Sequence, residues 1–71
     1  MGIILELGMG LIIGIEVNSG AAPRADAAKH LTWLRDELGD RFVAGVVLHT
    51  GPRVYELGER IIAAPICAIW G

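Results

Sequence analysis

The run Leu11-Ile12-Ile13-Gly14-Ile15-Glu16-Val17-Asn18-Ser19 limits most what this chain can fold into. It is apolar at successive positions and rich in β-branched residues, the pattern of a strand covered on both faces at the centre of an α/β sheet. Its far end carries a carboxylate, Glu16, and an amide, Asn18. Two residues apart on a pleated strand, these share a face at the end of the sheet where α/β folds bind ligands.

The remaining elements arrange themselves around that strand. Gly2 to Leu7 reads as a short first strand, and Gly8-Met9-Gly10 supplies the positive φ of a tight antiparallel hairpin. Ser19 to Pro23 is a small-residue connector in which Ser19 satisfies backbone groups. From Arg24 to Leu38, the recurrence of Ala27, Leu31, Leu34 and Leu38 predicts an amphipathic helix that Gly39 ends. Trp33 falls off the apolar stripe and is expected at its boundary. Phe42 to His49 is a third, central strand, so strand, helix and strand form a right-handed β-α-β crossover. Arg53 to Leu57 and Arg60 to Ala64 flank Gly58-Glu59 as a second hairpin, which Pro65 closes. Ile66 to Trp70 is apolar enough to dock on the core.

Size and composition exclude several function classes. Seventy-one residues make one small domain, 1–71, near the limit at which a lone core offsets chain entropy. A single cysteine allows no internal disulfide, which points to a cytoplasmic protein with Cys67 as a small buried residue. At 54% hydrophobic residues and a mean hydropathy of +0.55, the chain has apolar surface to bury against something else, and a homodimer is the simplest answer. No membrane span is expected, because Glu6 and Glu16 interrupt the apolar start well short of the roughly 20 residues required. A net charge of -2 with dispersed basic residues disfavours nucleic-acid binding by the chain itself.

The order of hairpin, Gly14-Ile15-Glu16-Val17-Asn18-Ser19, Leu34-Arg35-Asp36, Gly39 to Leu48 and Pro65 to Trp70 resembles the C-terminal PD-(D/E)XK nuclease-like domain of a bacterial family of AAA-type ATPases. The resemblance covers nearly the whole chain. It implies a restriction-endonuclease-like α/β core, here truncated, since the chain starts at the equivalent of the core's second strand. It also implies an acidic residue on the first hairpin strand and E-x-K on the second: two carboxylates hold Mg²⁺ or Mn²⁺, and the lysine activates water for phosphodiester hydrolysis. In this sequence Gly2 stands at the position of the acid and Asn18 at that of the lysine, while Glu16 is retained. No G-x-x-x-x-G-K-[ST] loop is present, so ATP binding is not expected.

These substitutions imply a catalytically inactive remnant of a nuclease-like domain that acts through self-association or protein interaction and carries no cofactor. The alternative is a weak divalent-metal-dependent nuclease rebuilt around Glu16, with Glu6 as a second acid if the hairpin register brings it close. His30 and His49 are too isolated to specify zinc, and Gly8-Met9-Gly10 joins two strands instead of opening a phosphate-binding helix.

Overall fold

A computed structural model of the chain describes residues 2–69. Five strands form one sheet: β1 (Gly2–Glu6), β2 (Ile12–Val17), β3 (Phe42–His49), β4 (Tyr55–Gly58) and β5 (Ile61–Pro65). The helix α1 (Lys29–Leu38) follows a 3₁₀ turn, Ala25–Ala28. The spatial order is β1-β2-β3-β5-β4. β2, β3 and β5 run parallel, and the edges β1 and β4 are antiparallel to their neighbours. β2, α1 and β3 thus form the expected parallel β-α-β unit with a hairpin on either side, and β3 is central. No helix among the described residues is long and apolar enough to cross a membrane.

Two glycines set the distance between α1 and the sheet. Gly14 and Gly45 are register partners on β2 and β3, and together they leave a depression for Leu31. A Cβ at Gly14 would stand 2.6 Å from Leu31 Cδ2, and one at Gly45 would stand 2.9 Å from Phe42 Cζ and 3.2 Å from Leu31 Cδ1. Leu31, Phe42, Val47, Ile61 and Ala28 make the buried cluster, with Leu34, Leu38 and Leu57 against it. Phe42 reaches this cluster through an irregularity: Ile12 pairs with Phe42 but Ile13 pairs with Ala44, so Val43 is an extra residue in β3. That insertion turns Phe42 to the side of Gly45, three residues on, and leaves Val43 exposed.

Several expectations are modified. The helix does not run regularly from Arg24: the tighter 3₁₀ turn shifts the phase so that Ala28, not Ala27, enters the core. Gly39 does end the helix, at φ +57. Cys67 is exposed, because it lies in a 3₁₀ turn (Ile66–Ile69) after β5 instead of within the sheet. Docking of the final segment rests partly on Trp70, which lies outside the described residues. Trp33 is exposed.

The larger correction concerns β2, which among the described residues has a helix on one face only, with Ile13 and Ile15 half-buried on the other. Gly2, Ile4, Ile12, Gly14 and Glu16 share the side of α1. On the other side the register aligns Ile3, Ile15, Val46, Ile62 and Glu56 in one row across all five strands. Ile3, Leu5, Val17 and Ile62 are exposed there. One ten-residue helix spans one face of the sheet, so residues patterned for a two-sided core are left at a surface.

Gly45→Ala tests the glycine contact. Its methyl must displace Leu31 or the Phe42 ring, and the expected result is a loss of about 1–3 kcal/mol in urea unfolding followed by circular dichroism, at unchanged m value.

Candidate functional site

The hairpin register settles which groups can meet at Glu16. Gly2 lies directly opposite Glu16, whereas Glu6 lies opposite Ile12 at the far end of β1. The rebuilt site that would recruit Glu6 is therefore not formed: a separation of four residues along β1 carries that carboxylate to the other end of the hairpin. A Cβ placed on Gly2 would stand 3.6 Å from Glu16 Oε2, ordinary contact distance. A side chain at position 2 would accordingly lie against this carboxylate.

Glu16 lies at the end of an apolar groove of about 240 Å³ between the β1-β2 hairpin and α1, lined by Ile4, Leu31, Trp33 and Leu34 among others. His30, on the first turn of α1, brings Nδ1 to 3.4 Å from Glu16 Oε1. The imidazole is largely exposed and the carboxylate largely covered. His30 reaches this position because the 3₁₀ turn before α1 fixes the rotation of the helix, a feature that apolar periodicity alone does not reveal.

Asn18 is not directed at Glu16. It falls just beyond β2, and its Oδ1 accepts a 2.8 Å hydrogen bond from the Gly20 backbone N–H, which makes an Asx turn. Its own backbone N–H donates to Leu48 O at 2.8 Å. Asn18 therefore shapes the connector after β2. Among the described residues, the side chain placed beside the Glu16 carboxylate is the His30 imidazole, a nitrogen donor and not one of the oxygen ligands that Mg²⁺ prefers. Among the described residues, no three His, Cys, Asp or Glu side chains converge as a metal site.

A second polar centre lies at the same end of the sheet, on the last residue of β3. His49 is 1% exposed. Its Nδ1 accepts the Gly51 backbone N–H at 3.0 Å, which leaves Nε2 to carry the proton and donate to Arg53 O at 2.9 Å. Its ring stands 5.7 Å from that of Tyr55, and the Tyr55 hydroxyl donates to Pro23 O at 2.6 Å. The sequence placed His49 at a strand end but gave no sign that it is buried. The segment Thr50-Gly51-Pro52 that follows is the available hint: the Gly51 N–H of this tight turn needs an acceptor, and the His49 ring supplies it.

Residues 3–69 match the family described as Domain of unknown function (DUF4143). No curated protein and no solved structure matches the chain.

Substitution should separate the two histidines. His49→Ala removes two buried hydrogen bonds and opens a cavity, and is expected to cost about 2–4 kcal/mol in urea unfolding. His30→Ala, on an exposed helix surface, is expected to change stability by no more than about 0.5 kcal/mol.

Proposed function

The chain belongs to the DUF4143 family, and we propose that it is a non-catalytic module of PD-(D/E)XK nuclease-like ancestry that works by self-association. The observation that carries this reading is the apolar face of the sheet opposite α1, on which Ile3, Leu5, Val17 and Ile62 are exposed while Leu48 is buried. Ile3, Ile15, Val46 and Ile62 form a continuous row there, flanked by Leu5 and Ile13 on one side and Val17, Leu48 and Ala64 on the other. The one charge in that row is Glu56, on the edge strand β4.

The partner is a second copy of the chain. The molecule measures 33 × 25 × 19 Å, and a sheet with one helix layer is thinnest across its layers. Its broad side is then about 800 Å², the area that a standard interface takes from each partner. Two such faces, uncharged except at one edge, pack about 10 Å apart without bringing like charges together at the centre. The edges favour the face as the contact, because β4 is short and irregular between Glu56 and Gly58, which discourages end-on pairing on that side.

Loss of catalysis follows from the Glu16 corner. A two-carboxylate site needs a second acid at Gly2 and a base or charge donor near Asn18, but glycine brings no ligand and the Asn18 oxygen is held by Gly20. The donor set does not fit the metal of the ancestral chemistry, and no hydrolytic step is assigned to these residues. In a protein that carries an AAA-type ATPase, such a domain would serve as a contact between subunits.

Two measurements check the proposal. Sedimentation is expected to give a dimer for the wild type at micromolar concentration and a folded monomer for Ile62→Glu, which puts a charge in the open row; a wild-type monomer would remove the proposal. Calorimetry with Mn²⁺ and Mg²⁺ is expected to show no binding to the wild type and measurable binding to Gly2→Asp combined with Asn18→Lys. Tight wild-type binding lost in Glu16→Ala would instead favour a weak metal-dependent nuclease.

A further inference from the structure

The loops that leave the carboxyl ends of β2 and β3 build a second feature, independent of the sheet face and of Glu16. They touch along their backbones. Thr50 N–H donates to Gly20 O at 3.1 Å, and Gly51 lies so close that a Cβ there would stand 1.9 Å from Ala21 O. Between them and Tyr55 on β4 lies an open cleft of about 610 Å³, within the size range of small-molecule sites, which is about 300–1,000 Å³. Pro23, Pro52 and Tyr55 give it an apolar lining, and Arg24 and Arg53 stand on it from the two loops.

These two arginines differ from the other three. Arg35 donates to Glu59 O and pairs with Asp36, Arg41 donates to Gly10 O, and Arg60 donates to Gly39 O and Phe42 O. Each of those guanidiniums ties one segment of the fold to another. Among the described residues, Arg24 and Arg53 have no such bond and no ion pair. The backbone that carries them is nonetheless fixed: His49 holds Arg53 O, Tyr55 holds Pro23 O, and the Asn18 turn sets the path into the first loop. A fully buried histidine is spent on orienting a loop whose outward product is a guanidinium. Two cationic side chains on an ordered, apolar-lined cleft bind with little loop-ordering cost.

We propose that this cleft binds a small organic anion, its phosphate or carboxylate group held by Arg24 and Arg53 and its flat apolar body lying on Pro23, Pro52 and Tyr55. Guanidinium binds either oxyanion in a bidentate manner. The chain's net charge of -2 opposes a polyanion and is tolerated by a ligand bearing one or two charges.

The test is an amide NMR titration of the whole chain with phenyl phosphate, benzoate, inorganic phosphate and a single-stranded oligonucleotide. Phenyl phosphate or benzoate is expected to shift the Gly20, Gly51 and Arg53 amides saturably, and whichever binds more tightly identifies the charged group. Inorganic phosphate, lacking the apolar body, is expected to bind about tenfold more weakly. Arg24→Gln with Arg53→Gln keeps both backbone carbonyls, and hence the loop, and is expected to weaken binding by about tenfold or more. Absence of saturable shifts with either aromatic probe, equal affinity in the double variant, or tighter binding of the oligonucleotide would each overturn the proposal. A monomeric wild type would leave it standing, because the cleft is built within one chain.

Discussion

The contact on which the rest of the structure depends is Leu31 seated over Gly14 and Gly45, with the Phe42 ring beside it. Absence of two side chains on adjacent strands lets α1 lie deep against the sheet, and that depth makes a cluster of so few residues dry. It also fixes the end of the sheet. With Leu31 pinned, His30 must fall beside Glu16, and Leu34 and Trp33 must form the wall of the groove that Glu16 closes. Arg60 secures the opposite side of the same contact: it donates to Phe42 O while its guanidinium lies 5.7 Å from the Phe42 ring centroid.

A core of that kind uses one face of a five-stranded sheet, and the proposed dimer would use the other. In a chain of this length the folded state rests on a few kcal/mol. The row from Ile3 to Ile62 includes exposed apolar side chains, so covering it in the proposed dimer would add hydrophobic stabilisation to that of the core. Under this proposal folding and association are linked, and stability depends on protein concentration.

Much of this architecture was legible in the sequence because each element had a local cause. Glycines at the hairpin adopt positive φ, Gly39 stops the helix, and apolar runs become the inner strands. The antiparallel pairing of the first two strands also follows from the glycines between them, although its register does not. What was not legible depended on the count of layers or on non-local contacts. The run Leu11 to Val17 looks the same whether one helix or two cover it, so two-sided burial was expected where one-sided burial occurs. The fate of Glu6 required the register, and the burial of His49 required the meeting of two loops thirty residues apart. Cys67 was expected inside on residue type alone, and its position past the last strand overrode that preference.

The two polar corners at the carboxyl end of the sheet are built from different parts. At Glu16, the partner position on β1 is a glycine and the imidazole at hand stands at 3.4 Å on an exposed helix surface. At His49, every ring nitrogen is matched, the neighbouring glycine is sterically required, and a tyrosine hydroxyl closes the circuit from the other loop. Buried polar networks destabilise a small domain unless fully satisfied, so a chain with little stability to spare keeps one only where loop geometry demands it. The geometry so maintained is that of the backbone at Pro23 and Arg53, beside the cleft that Arg24 and Arg53 line. The buried polar contacts of the described residues are thus concentrated at His49, where they fix the backbone of the two loops that border the cleft.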